Sequence, residues 1–239
     1  MSFTNVYEDD RRAAAYDKLE FPGTYFLAFR DLPALFIQHI RGTQALDFGC
    51  GAGRSTRFLK RLGFEALGVD ISEDMLSRAR LRDADGRYLC VDEEGLGKLP
   101  ESGFHLIFSA FTFDNIPTGE KKLFYFRELA NRLAPDGKFV NLVSAPEIYT
   151  HEWASFTTKA FPENQLAKSG EQVRIVMTDV EDDRPVIDVL WSEESYRQLC
   201  QQAGLKIINM IKPLGTPEEP FDWVNETAVA PWTIYVLGR

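Results

Sequence analysis

Residues 45–56 read Ala45-Leu46-Asp47-Phe48-Gly49-Cys50-Gly51-Ala52-Gly53-Arg54-Ser55-Thr56. A short apolar run closes on an acid, glycines follow at alternate positions, and the residues from Arg54 onward suit a helix. Strand, glycine turn and helix in that order make a cradle for a nucleotide-like ligand. Glycine lets the backbone take positive φ and approach a ligand closely. The helix beyond the turn offers free N–H groups and the positive end of its dipole.

Outward from this stretch the chain alternates. Upstream, apolar residues between Tyr25 and Ile40 recur at helical spacing, and Pro33 marks a fresh helix start with Asp31 near its N-terminus. Downstream, strands are predicted at 64–69, 87–91, 104–109 and 138–143, with helices at 55–62, after the cap Ser72, and at 121–133. Pro135-Asp136-Gly137 reads as a turn before the fifth strand. Strands separated by helices imply an α/β, Rossmann-like doubly wound sheet, mostly parallel. From Ser144 to Trp191 the pattern changes. A helix is expected within 147–161, and strands at 173–180 and 186–190 as a hairpin or as sheet additions. This segment, 144–191, reads as an insertion after the fifth strand rather than a domain of its own. A helix capped by Ser192 and strands at 206–211 and 232–237 complete the chain, read as a single domain over 1–239.

The 239 residues carry a net charge of −9, with 44 % hydrophobic and 26 % charged residues. These are ordinary values for a globular protein able to bury a full core. The acidic balance speaks against nucleic acid as a partner, since a phosphate backbone calls for a basic face. Cys50, Cys90 and Cys200 have no metal-ligand spacing and read as free thiols of a reducing compartment, and no metal is expected. The first residues lack a basic start and an apolar run, and no stretch approaches ~20 apolar residues. The expectation is a cytoplasmic protein without a membrane span.

The glycine pattern separates two nucleotide-binding classes. A dinucleotide fingerprint wants Gly-x-Gly-x-x-Gly, and Arg54 stands where its last glycine belongs. Asp47-x-Gly49-x-Gly51-x-Gly53 instead resembles the first motif of the class I S-adenosylmethionine-dependent methyltransferases. Asp70, about 20 positions beyond Gly49, is placed to accept from ribose hydroxyls, a feature shared with NAD enzymes. Asp92 closes the third strand, where the resemblance implies an acid facing the adenine amino group. Phe104-His105-Leu106-Ile107-Phe108-Ser109 resembles the family's fourth-strand motif, with His105 in place of its usual aspartate. Residues 128–139 resemble its helix, Leu-x-Pro-Gly-Gly turn and fifth strand. The resemblance covers about residues 45–143. It implies a sheet of about seven strands whose last strand is antiparallel.

The resemblance also implies a site. S-adenosyl-L-methionine is the expected cofactor and S-adenosyl-L-homocysteine its product. The expected cofactor-binding set is Tyr16, Arg30, Asp47, Gly49, Cys50, Gly51, Gly53, Asp70, Ile71, Met75, Asp92, Glu93, Ser109 and Phe111. In it, Asp47 holds the methionine ammonium, Arg30 its carboxylate, and Ile71 and Met75 pack near the adenine, whose polar edge Asp92 and Glu93 cap. Tyr16-Asp17 resembles a recurring pair of the N-terminal lid, assigned to residues 1–43. Asp114 and His151 are the candidate bases, and residues 144–191 are expected to build the pocket of a small-molecule acceptor. Oxygen, nitrogen, carbon and sulfur acceptors all occur on such a fold. The rival readings are an NAD(P)-dependent oxidoreductase, a non-catalytic S-adenosylmethionine-binding protein, and a methyltransferase with a macromolecular substrate.

Overall fold

The structure, a computed structural model, describes residues 22–92, 96, 97, 99, 103–180 and 184–239. Its first elements are two consecutive helices, α1 (Thr24–Arg30) and α2 (Leu32–His39), broken where Pro33 enters the first turn of the second. Then come β1 (Gln44–Phe48), α3 (Arg54–Arg61), β2 (Glu65–Asp70), α4 (Glu73–Arg82), β3 (Arg87–Cys90) and β4 (Phe104–Ala110). A short helix α5 (Thr112–Asn115) precedes α6 (Gly119–Arg132) and β5 (Leu133–Ser144). Ser72 caps α4 by accepting from Met75 N, and Thr118 caps α6 by accepting from Lys121 N. Each cap satisfies a backbone donor that the first helical turn leaves without a partner.

The main sheet has seven strands in the order β3-β2-β1-β4-β5-β10-β9, with β9 (Lys206–Ile211) and β10 (Trp232–Gly238) at the end of the chain. The first five are parallel, and β10 runs antiparallel to both β5 and β9. The Rossmann-like expectation is met, down to the reversed last strand. Central strands bury both faces, as a sheet covered by helices on either side must. Leu106, Phe108, Val140 and Leu142 join the core beneath α1, α2 and α3. Ile107, Phe139 and Val143 point the other way, into the core with Phe126 and Leu129 of α6 and Tyr196 and Leu199 of α7 (Glu193–Gln202).

Two local expectations are corrected. The Pro135-Asp136-Gly137 turn lies inside β5, which starts at Leu133. Pairing with β4 jumps there, from Phe104 opposite Leu133 to Leu106 opposite Lys138, so the turn residues form a bulge in a strand already paired. The helix expected within 147–161 reduces to one 3-10 turn, Pro146–Tyr149. Beyond it β6 (Phe156–Thr157), β7 (Gln172–Met177) and β8 (Val186–Val189) form a separate three-stranded antiparallel sheet. Ile148, Tyr149, Trp153 and Phe156 are buried in one core with residues of that sheet and with Trp232, so their spacing never had to be helical.

Glu226 ties this small sheet to the main body. It is fully buried, and its Oε1 accepts from Thr24 Oγ1 and Ala154 N, both at 2.7 Å. Its Oε2 accepts from Val224 N at 2.8 Å and Asn225 N at 3.1 Å. One carboxylate thus joins α1, the inserted segment and the loop before β10. Glu226→Gln would turn an amide donor against N–H or O–H donors. It is expected to lower the unfolding free energy by roughly 2 kcal/mol, read from the midpoint of urea unfolding at constant slope.

Candidate active site

The parallel strands end their carboxyl edge at a cavity of about 200 Å³. Its floor is the glycine loop. Gly49 N and Cys50 N both donate to Val69 O, at 2.8 and 2.9 Å, and Gly53 N returns to Cys50 O at 2.9 Å. Gly49, Gly51 and Gly53 have φ of 74°, 52° and 78°, so all three use the freedom only glycine has in full. Their surroundings differ. A Cβ on Gly49 would stand 2.1 Å from Thr112 Oγ1, and one on Gly53 would stand 2.5 Å from the Tyr88 hydroxyl oxygen. At Gly51, which lines the cavity, the nearest atom would be Met75 Cε at 3.2 Å, the far end of a flexible side chain.

Two acids hold the loop in shape. Asp47 is fully buried behind it, and its Oδ2 accepts from Ser55 Oγ at 2.7 Å and Thr56 Oγ1 at 2.6 Å. The carboxylate thereby locks the start of α3 to the end of β1. Burial pushes its pKa up to about 6, with Ser55 and Thr56 opposing the shift. Asp70 does line the cavity. Its Oδ2 accepts from Gly51 N at 2.8 Å and its Oδ1 from Ser72 N at 2.9 Å. Burial raises its pKa, and those backbone donors pull against the rise. Both oxygens keep acceptor capacity for a ligand hydroxyl.

Among the predicted site residues, Gly49, Cys50, Gly51, Asp70, Ile71, Met75 and Phe111 come together around this cavity. Gly53 shapes the turn from just outside it. Others lie elsewhere. Arg30 pairs with Asp31 at 2.9 Å and Glu219 at 2.6 Å and donates to Leu214 O, so it anchors the loop before β10. Asp92 is exposed and outside the lining, which Val91 supplies instead. Ser109 is buried on β4 opposite Asn141, on the α6 side of the sheet. Tyr16 and Glu93 lie outside the described residues. Arg54, Thr112, Lys121 and Tyr125 line the cavity unforeseen. Arg54 had served only as a missing glycine, whereas its guanidinium carbon lies 5.0 Å from the Tyr25 ring centroid.

A second, smaller cavity of about 40 Å³ adjoins the first, and Phe111 and Asn115 line both. Phe111 has φ of 63°, the sole positive value outside glycine among the described residues. Such a conformation costs on the order of 1–3 kcal/mol and tends to mark working sites. Here it swings the chain out of β4 so that α5 presents Asp114 and Asn115. Asp114 is buried and its Oδ2 accepts from Ser144 N at 3.0 Å. The opposite wall comes from the inserted segment, where Tyr149 donates its hydroxyl to Asp188 Oδ2 at 3.0 Å. Burial and the nearby Asp188 raise the pKa of Asp114, against Ser144 N–H and Lys122. Burial lowers that of Lys122, whose ammonium donates to Phe113 O. His151 lines neither cavity. It bonds to Thr150 Oγ1 at 3.1 Å and Glu147 O at 3.0 Å and packs by Trp153. The acid partner in this place is Asp188, which sequence spacing gave no means of pairing with Asp114.

A sequence model of a family described as "methyltransferase domain" matches residues 46–141, the span from β1 to β5 that carries the loop and Asp70. Residues 46–141 thus match a methyltransferase domain. A ubiquinone biosynthesis O-methyltransferase of Neisseria meningitidis is 26 % identical over 165 residues, covering 59 % of this chain and 66 % of its own length. A Haemophilus influenzae protein described only as uncharacterised is 31 % identical over 127 residues, 48 % of this chain and 50 % of its own. The chain thus spans between half and two thirds of the length of these relatives. In fold, the methyltransferase domain is like a S-adenosylmethionine-dependent methyltransferase from Mesorhizobium loti. The two share 21 % identity and a TM-score of 0.63, over 89 % of this chain and 98 % of that one. The cofactor of this family is S-adenosylmethionine, and the cavity fits it. Gly51 lines the cavity with only the flexible tip of Met75 nearby, an acid sits at the end of β2, and the apolar Ile71, Met75 and Val91 line the same cavity.

The Asp47 carboxyl titrates near 3.8 when unfolded and near 6 when folded. Between those values the folded chain holds a proton that the unfolded chain has released. Stability from this group is therefore highest below about pH 4 and falls by up to ~3 kcal/mol as the pH rises through about 6. Asp47→Asn removes the titration. The stability difference, variant minus wild type, is expected to rise from pH 4.5 to pH 7 in parallel urea melts. A difference independent of pH would contradict the assignment.

Proposed function

We propose that the protein transfers the methyl group of S-adenosylmethionine to a small-molecule acceptor. The reading rests on one observation above all: the cavity over the glycine loop adjoins a second, acid-bearing cavity, with Phe111 and Asn115 common to both. A cofactor and an acceptor can then meet without water between them. S-adenosylmethionine supplies an activated sulfonium methyl, so the chain has mainly to align and enclose its ligands.

In this reading the backbone from Gly49 to Gly51 lies under the cofactor. Asp70 accepts from its ribose hydroxyls, and Ile71, Met75 and Val91 pack at its base. Asp47 acts indirectly, by holding α3 against the loop. Phe111 and Asn115 stand where the acceptor enters, and residues 144–191 with α1 close the acceptor side. Asp114 is the proton acceptor when the nucleophile must lose a proton. Arg54 in place of a third fingerprint glycine supports this reading over an NAD(P)-dependent oxidoreductase.

Titration calorimetry tests it. S-adenosylhomocysteine is expected to bind and NADH is not; binding of NADH alone would overturn the proposal. Gly51→Val, which puts a side chain into the cavity against Met75, and Asp70→Ala are each expected to weaken S-adenosylhomocysteine binding by about 10-fold or more, or ~1.4 kcal/mol. Unfolding midpoints serve as the control for fold.

A further inference from the structure

Asn115 closes α5 at the passage between the two cavities and lines both. Its amide is held one way round. Nδ2 donates to Phe111 O at 3.2 Å, the same carbonyl that accepts from Asp114 N at 3.2 Å. Turning the amide over would set Oδ1 against that carbonyl, oxygen against oxygen, so this hydrogen bond decides which atom points away from it. The Phe111 turn, with its φ of 63°, thus orients the Asn115 side chain as well as the start of α5.

The other end of the amide is unsatisfied. Oδ1 is buried and has no hydrogen-bond partner among the described residues. A buried amide oxygen without a donor is costly, and native proteins rarely keep one that no ligand, ion or water completes. The tyrosine hydroxyls of the second cavity are already engaged: Tyr149 donates to Asp188 Oδ2 at 3.0 Å and Tyr25 to Met177 Sδ at 3.3 Å. Much of the remaining wall is carbon, from Phe111, Ile148, Phe156, Ile175, Val186 and Trp232. A molecule that fills this space either supplies a donor to Oδ1 or shuts the oxygen away unpaired.

We infer that Asn115 is a specificity-determining residue of the acceptor site, its Oδ1 accepting from an N–H or O–H that the acceptor carries beside the atom to be methylated. The inference rests on the methyl-transfer reading above. Because Asn115 lines both cavities, its oxygen stands where acceptor and cofactor meet. The donor keeps its hydrogen through the transfer, and no proton passes to the amide. The acceptor class that follows is a molecule with a hydrogen-bond donor next to its reacting atom and an apolar remainder. Its inserted end is small, since the second cavity measures about 40 Å³. A molecule of the same shape without the donor is rejected, and sites of this kind discriminate more steeply than apolar pockets do.

Protein saturated with S-adenosylhomocysteine is titrated under NMR detection with two matched pairs: phenol against fluorobenzene, and isobutanol against 1-fluoro-2-methylpropane. Fluorine replaces the hydroxyl at similar size and donates nothing. In at least one pair the ratio of hydroxyl to fluoride affinity is expected to be about 10-fold or more higher in the wild type than in Asn115→Leu. Asn115→Ala, which adds no branched bulk, is the second variant and is expected to lose the preference as well, with unfolding midpoints as the control for fold. A ratio unchanged in both variants, or no binding of either hydroxyl compound to the wild type, would overturn the inference. Loss of S-adenosylhomocysteine itself from both folded variants would also overturn it, by assigning the oxygen to the cofactor. Failure of the wild type to bind S-adenosylhomocysteine sinks the methyl-transfer reading, whereas its binding followed by an unchanged ratio sinks only the role of Asn115.

Discussion

One carboxylate sets the geometry on which the rest depends. Asp47 is buried at the end of β1, where an unpaired charge would be prohibitive, and it accepts from two hydroxyls on the first turn of α3. Those bonds fix where the helix begins relative to the strand. With both ends fixed, Gly49 to Gly53 has to turn back on itself within five residues, and only positive φ at all three glycines achieves that. Asp70 then catches Gly51 N from the neighbouring strand. The floor of the large cavity is therefore rigid before any ligand arrives, which lowers the ordering cost of binding.

The same rigidity reaches the second cavity along β4. Thr112, just past its end, donates to Phe48 O at 3.0 Å and packs against Gly49. The glycine loop and the strained Phe111 turn are thus two sides of one contact. A side chain on Gly49 would displace Thr112, and with it Phe111, Asp114 and Asn115. The two cavities cannot be repositioned independently, which in the proposed reading keeps cofactor and acceptor aligned for an in-line displacement.

Where the sequence spoke locally, it was legible. Strand-ending acids, the Ser72 and Ser192 caps, Pro33 and the alternating core residues act within a few positions, and the order of β1 to β5 followed from them. The Asp47-to-Gly53 motif located the cradle. Two kinds of information were missing. A residue's direction out of an irregular segment was one: Arg30 and His151 were candidates by residue type, but ion pairs with Asp31 and Glu219 hold the first aside, and Glu147 and Thr150 hold the second. Long-range pairing was the other. Asp188 reaches Asp114 because β8 packs by α5, and Tyr149 reaches Asp188 from a 3-10 turn that its own sequence suggested as helix.

Lys122 bears on both the stability and the proposed chemistry of the second cavity. It rises from the first turns of α6 into full burial, where its charge is disfavoured and its pKa falls. Asp114 and Asp188 bring two like charges close together in one buried place. Burial and Asp188 raise the pKa of Asp114, and Lys122 opposes that rise. Placed directly between them it would pair with both carboxylates and leave neither free to act on a ligand. Its ammonium is instead tethered to Phe113 O and backed by the Trp191 ring, so it acts on the acids through space. Partial compensation of this kind leaves a carboxylate that is ionisable yet raised in pKa, the condition under which an acid can take a proton from a ligand and release it again.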